Sequence, residues 1–258
     1  MTLGVQVRYD SPMHASPNTL TADTLLGGRV KYLQPREGLR ASLDPVLLAA
    51  AIPAHPGDRV LEGGTGAGAA LLCLAARVAG VRGLGVDRDP DLISLAAANA
   101  AANAWPELEF ATADLEASPI DGPFDHTFAN PPYHTAGGTR SPSAARDAAK
   151  RAEPGLLPMW VEALSRPLRH RGTLTLILPP ALLETAIVAM RDADAPVEWA
   201  FPIWPKAGQP ARFVLVRGRK HGRSLLVLAS GLILHEATGA FRPEAEAILR
   251  DGAALPSR

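Results

Sequence analysis

Apolar and polar positions along this chain follow two alternating rhythms. Strand-like apolar runs cover Val60 to Gly63, Gly83 to Asp87, Leu108 to Ala113, Phe124 to Ala129 and Gly172 to Leu178. Between them lie longer runs of helical period, Ala69 to Val78, Pro90 to Ala104 and Leu157 to Arg169. Such alternation predicts a parallel sheet covered on both faces, because right-handed crossover helices pack on the sheet they connect. After Pro179 a helix from Ala181 to Met190 precedes three strand candidates, Val197 to Ile203, Arg212 to Arg217 and Leu225 to Leu234, with no long helix between them. That spacing predicts an antiparallel C-terminal edge on an α/β, doubly wound, mostly parallel sheet.

Ahead of the first strand the pattern is weaker. Residues 1 to 20 scatter Pro, Ser, Asn and His without a period and are expected to be poorly ordered. Thr21 to Leu33 predicts a hairpin around Gly27 and Gly28, and Asp44-Pro45 predicts the N-cap and first residue of a helix that stops before Pro53. No shift in composition divides the chain, so residues 21 to 258 are read as a single domain.

The first strand turns into its helix through Val60-Leu-Glu-Gly-Gly-Thr-Gly-Ala-Gly68. Glycines there let backbone approach a ligand, and the new helix start offers free N–H groups. Gly64, Gly66 and Ala69 satisfy a dinucleotide fingerprint, with Asp87 about 20 residues beyond to hold ribose hydroxyls. Equally, Glu62, Gly64, Gly66 and Gly68 satisfy E-x-G-x-G-x-G. A carboxylate at the strand end opposes a pyrophosphate but suits an ammonium and a sulfonium, which favours S-adenosylmethionine over a nicotinamide cofactor.

Glu62, Asp87, Asp114 and Asn130 each end a strand-like run, so they meet on one edge of the predicted sheet. Asn130-Pro131-Pro132-Tyr133 adds an amide that both donates and accepts, two carbonyls lacking N–H partners, and a stacking ring. Together they suit a flat substrate bearing an amino group, with Asn130 and the Pro131 carbonyl accepting from the amine and Tyr133 holding the ring. Ordinary capping roles remain open for Asp44, Asp87 and Asp114.

Composition narrows the partners. Charged residues make up 20% and hydrophobic residues 47%, a globular profile, and the 26 basic and 26 acidic residues cancel. Basic side chains nevertheless cluster. No Asp or Glu occurs from Trp199 to His235, where Lys206, Arg212, Arg217, Arg219, Lys220 and Arg223 supply cations, and the segment after His134 adds Arg140, Arg146, Lys150 and Arg151. These two segments could neutralise phosphates, with a solvated basic face as the plain alternative. Cys73 stands alone in an apolar helix as core filler, and with no disulfide possible a cytoplasmic setting is expected. The N-terminus lacks a secretory pattern, and the apolar run ending at Leu234 is too short and interrupted to span a bilayer. Seven histidines without ligand spacing predict no metal.

The glycine loop, Gly85-Val86-Asp87, Ala113-Asp114-Leu115 and Asn130-Pro131-Pro132-Tyr133 resemble, in order and at strand ends, the motifs of class I S-adenosylmethionine-dependent methyltransferases of the amino-group type. With the stretch from Gln34 to Ala50 and the tail from Leu232 to Arg250, the chain resembles the bacterial tRNA adenine-N6 methyltransferase family, which acts on the anticodon loop of valine tRNA. That resemblance implies a seven-stranded sheet, methyl transfer without a metal, and tRNA or another RNA as partner. It implies that Glu62 and Gly64, in the loop that continues through Gly66 and Gly68, line the methionine end of the cofactor. Asp87 would hold its ribose, Asp114 and Leu115 its adenine, and the segment around Arg40 and Asp44 would cover its amino-acid part. Asn130 to Tyr133 would present the amine, with His134, Arg140, Lys206 and Arg212 near the substrate. Other acceptors stay open, namely ribosomal guanine N2, a protein glutamine amide or a small molecule, as do a non-catalytic cofactor-binding module and the oligomeric state.

Overall fold

The computed structural model describes residues 20–36, 42–117, 119–132 and 155–256. The N-terminal stretch expected to be poorly ordered lies outside them, apart from Leu20. A hairpin opens the fold, β1 (Leu20–Leu25) and β2 (Val30–Pro35), joined by a 3-10 turn in which Gly27 sits at φ 62°. Next come α1 (Leu43–Ala51), β3 (Arg59–Gly63), α2 (Ala69–Arg77), β4 (Arg82–Asp87), α3 (Pro90–Ala102), β5 (Leu108–Thr112) and β6 (Phe124–Ala129). The chain continues through α4 (Leu156–Ser165), β7 (Leu168–Leu178), α5 (Leu183–Asp192), β8 (Val197–Lys206) and β9 (Phe213–Arg219). It closes with β10 (Val227–Leu228), β11 (Leu232–His235) and α6 (Pro243–Leu249).

One sheet runs β10-β8-β9-β7-β6-β3-β4-β5, with β11 also on β8. β9 is antiparallel to both its neighbours, whereas β10 and β11 pair with β8 in parallel. The sheet therefore has nine strands, two more than the seven that the resemblance implies. The single run read from Leu225 to Leu234 splits because Gly231, at φ 81°, turns the chain between the two pairings. Likewise the helix expected to reach Arg169 ends at Ser165, because β7 begins at Leu168 and pairs with Phe124.

Each face of the sheet carries its own core. On the first face the hairpin, α1, α2, α3 and α6 gather around Leu47, Leu71, Leu72, Phe128, Trp199 and Ile203; on the second, α4 and α5 gather around Leu61, Leu164, Leu174, Leu176 and Met190. α2 is apolar nearly all round because it is wedged between α1 and the sheet. Each fully buried leucine here contributes roughly 2 kcal/mol of transfer free energy. The hairpin is fastened by two asparagines one helical turn apart on α3. Asn99 accepts from Leu33 N at 2.7 Å and donates to Leu33 O at 2.8 Å, while Asn103 does the same to Lys31 at 2.9 and 2.7 Å. Asn99, fully buried, also donates to Ala67 O at 3.0 Å, which ties the glycine loop to the hairpin.

Candidate active site at the carboxyl edge of the sheet

Strand register brings the motifs together. Gly63 pairs with Val86 on one side and Ala129 on the other, and Asp87 pairs with Thr112, so the residues after β3, β4, β5 and β6 emerge on one edge. Gly64, Gly66 and Gly68 hold φ of 64°, 56° and 88°, backbone that side chains disfavour. A Cβ on Gly66 would enter open space, so the loop presents bare backbone to the crevice.

Glu62 is buried and shapes this loop from beneath. Its Oε2 accepts from Thr65 Oγ1 at 2.7 Å and from Leu71 N at 3.1 Å, so the strand-end carboxyl anchors both the loop and the first turns of α2. Burial, and then the nearby Asp87 charge, push its pKa up to about 8 against the pull of those hydrogen bonds. Asp87 bridges the next turn. One oxygen accepts from Gly66 N at 2.9 Å and the other from Asp89 N at 3.0 Å, which leaves further lone pairs on each for hydroxyl donors. Asp114 accepts from Glu116 N at 2.9 Å and caps its own turn, while the Leu115 side chain is buried with Cδ1 2.8 Å from where a Cβ on Gly63 would stand. A ligand would therefore meet Leu115 through its backbone.

Asn130 leaves β6 beside Gly64. Its Oδ1 is buried and has no hydrogen-bond partner among the described residues, although an amide carbonyl out of water costs about 1–3 kcal/mol when unmet. Pro131 is buried and Pro132 half-buried, neither able to donate. An acceptor held open ahead of two prolines suits a donor brought in by a substrate.

The N-cap of α1 is Ser42 rather than Asp44, which lies in the first helical turn. Burial raises the Asp44 pKa, opposed by its hydrogen bond with Ser42 and by the charge of Arg212 at the start of β9. Arg212 thus reaches the edge that carries α1. Lys206, at the end of β8, reaches the same edge and donates to Ala237 O at 3.2 Å. Arg40, Tyr133, His134 and Arg140 lie outside the described residues, as do Arg146, Lys150 and Arg151.

Three of the cations expected to form a basic face do other work. Arg217 is buried with its guanidinium 4.7 Å from the centre of the Trp199 ring. Arg219 forms a two-pronged pair with buried Glu198 at 2.6 and 2.8 Å, and Lys220 donates to Ala193 O at 3.0 Å. Arg219 and Lys220 follow β9 to the opposite end of the sheet, and Glu198 stands one residue before the acid-free stretch, where the count of charges overlooked it.

Trp160 escaped the sequence reading. Its ring edge lies so close to Gly64 that a Cβ there would stand 2.6 Å from it, which explains a glycine at that position as much as any ligand does. A tryptophan one helical turn before buried Leu164 reads as ordinary core, so no signal in the sequence marked it. Among the described residues no helix is long and apolar enough to cross a membrane.

Comparison with known proteins agrees with this geometry. The profile of a family described as "Methyltransferase domain" matches residues 60–155. A tRNA1(Val) (adenine(37)-N6)-methyltransferase of Aeromonas hydrophila subsp. hydrophila is 31% identical over 80% of this chain and 86% of its own length. The enzyme of that name from Aeromonas salmonicida is also 31% identical, over 80% of this chain and 86% of its own. A solved structure of a predicted O-methyltransferase from Agrobacterium tumefaciens superposes with a TM-score of 0.68 at 26% identity, covering 83% of this chain and 99% of that one. The backbone cradle of glycines, pinned from beneath by Glu62 and with Asp87 beside it, fits a cofactor carrying ribose hydroxyls. The chain is therefore an S-adenosylmethionine-dependent methyltransferase, and it belongs to the class I family that includes the tRNA1(Val) (adenine(37)-N6)-methyltransferases.

Proposed function

We propose that this methyltransferase transfers the methyl group of S-adenosylmethionine to the exocyclic N6 amine of an adenine in cytoplasmic tRNA. The observation that carries this reading is the buried, unmet Oδ1 of Asn130 between bare backbone and two prolines. An amine N–H donates to that oxygen and a second to the Pro131 carbonyl, which leaves the nitrogen lone pair directed across the crevice. S-adenosylmethionine would supply the methyl group from its sulfonium and leave as S-adenosylhomocysteine, while the methylated nitrogen would lose a proton to solvent; the transfer needs no metal. Orientation supplies most of the acceleration, since two reactants held in line gain up to roughly 7–11 kcal/mol over free encounter.

In this reading Asp87 takes the ribose hydroxyls, and the loop from Gly64 to Gly68 lies along the methionine end above Glu62. Asp114 and the Leu115 backbone border the adenine, and Arg40 with Asp44 closes over the amino-acid part. Tyr133 stacks on the acceptor base, while His134, Arg140, Lys206 and Arg212 meet the RNA.

Labelled methyl transfer to bulk tRNA from a strain lacking this gene, followed by nucleoside mass spectrometry, tests the assignment. N6-methyladenosine is the expected product. Methylated guanine, a methylated ribose hydroxyl, or no incorporation by a protein that binds the cofactor would overturn it.

A further inference from the structure

α4 and α5 cover the second face of the sheet only in part. α5 packs on β8 and β9, where Val197, Ala200, Val216 and, higher up, Val214 opposite Pro202 join the second core. Further up β8 the same face carries Trp204 and Lys206, whereas Phe201 and Ile203 turn to the first core. Parallel pairing sets Ile233 beside Trp204 and His235 beside Lys206. All four are half-buried, and among the described residues no helix joins them in the second core.

The strip has built features. The benzo edge of Trp204 lies on Gly231, so close that a Cβ would stand 2.2 Å from the ring, which holds the indole out over the outermost strand. His235 stacks on Phe241 with ring centres 4.5 Å apart at 24°, its Nδ1 3.0 Å from Gly239 O. Lys206 brings positive charge, Arg212 on the adjoining strand adds a cation that also faces Asp44, and no acidic residue occurs between Trp199 and His235. Glu236, just beyond, faces Arg242 at 3.5 Å. At about 4.8 Å per strand, Lys206 lies about 14 Å and His235 about 19 Å along the edge from the end of β6, where Asn130 stands.

We infer that this uncovered face is a docking strip for single-stranded RNA flanking the acceptor base. Aromatic rings on an open sheet face stack bases whatever their sequence, and neighbouring cations hold the backbone. Charge complementarity selects a polyanion over a protein or a second copy. The strip deepens the function proposed above and rests on it only for the identity of the RNA. Exposed Leu225, ahead of β10, and Leu228, within it, lie outside the strip.

The test is fluorescence anisotropy of a labelled, unstructured oligoribonucleotide across a salt series, with S-adenosylmethionine binding measured calorimetrically on the same proteins. Lys206→Glu should weaken oligonucleotide binding about tenfold and reduce the salt slope by about 1. Trp204→Ala should weaken it roughly five- to hundredfold, Trp204→Phe should restore most of it, and cofactor affinity should stay at the wild-type value throughout. Wild-type binding in Lys206→Glu and Trp204→Ala would overturn the inference, as would failure of the wild type to bind at low salt. Concentration-dependent dimerisation abolished by Trp204→Ala, with oligonucleotide binding intact, would replace it with an interface between copies. Oligonucleotide binding through the strip without methyl transfer to any nucleoside would sink the proposed acceptor and leave the strip standing.

Discussion

The two ends of the same sheet treat polar side chains in opposite ways. At the amino end the ionisable ones pair with one another, although Ser165 Oγ and Trp199 Nε1 stay unmatched: His126 bridges Thr173 Oγ1 at 2.8 Å and Asp58 at 3.2 Å, and Asp125 meets Arg169 at 2.6 Å. Glu198 and Arg219 close a fork at that same end. At the carboxyl end Asn130 Oδ1 is left unmet, Asp87 spends only part of its capacity, and the glycine loop shows bare backbone. Buried polar groups that satisfy each other hold a fold together. Those held open are arranged for a visitor, and the fold tolerates their cost because the glycine loop is pinned by Glu62 and Asn99.

The contrast breaks most visibly at Asn130. Asn130→Ala should lower single-turnover methyl transfer about a hundred- to thousandfold while leaving the cofactor dissociation constant unchanged, a separation that calorimetry and quenched-flow assays read together. At Asp87 the loss should fall on binding instead. Asp87→Ala removes the acceptor of Gly66 N as well as the proposed ribose contact, so cofactor affinity should drop roughly ten- to hundredfold, with turnover at saturating cofactor much less affected. The amino end should show the reverse pattern. Arg219→Ala strands the buried Glu198 and should lower the midpoint of urea unfolding without altering cofactor affinity.

A pH dependence is expected at Glu62. Its folded pKa is raised from 4.5 to about 8, so folding favours the protonated form. Below pH 4.5 both states bind the proton and the contribution is fully present; it is lost as pH rises through that window toward 8. Relative to Glu62→Gln, wild-type stability should decline from the acid end of the window to the alkaline end in parallel urea titrations, and a flat difference would remove Glu62 from its protonated, buried role.

Much of the site was legible because its chemistry is written in contiguous residues. Four glycines between Gly63 and Gly68, and the tetrapeptide from Asn130, announce themselves whatever surrounds them, and strand periodicity placed them on one edge. What stayed hidden depends on pairing across the sheet. Asn99 lies in an alanine-rich helix and gains its meaning only from the β2 backbone, 66 residues away. Trp160 matters because register carries α4 over Gly64. The basic face read from charge spacing came apart for the same reason: β9 runs antiparallel, so Arg212 and Arg219, on one strand run, stand at opposite ends of the sheet. Trp204 carries no mark in the sequence, because only the extent of α5 distinguishes its half of β8 from the half that α5 covers.

The central claim is that the carboxyl edge holds the cofactor with Asp87 at its ribose and Asn130 facing its sulfur. A crystal structure with S-adenosylhomocysteine bound tests this most directly. The account predicts both ribose hydroxyls within hydrogen-bond distance of the Asp87 carboxylate, and the sulfur turned toward Asn130 Oδ1 across a gap wide enough for an amine. Ribose bound away from Asp87, or sulfur facing away from Asn130, would contradict it.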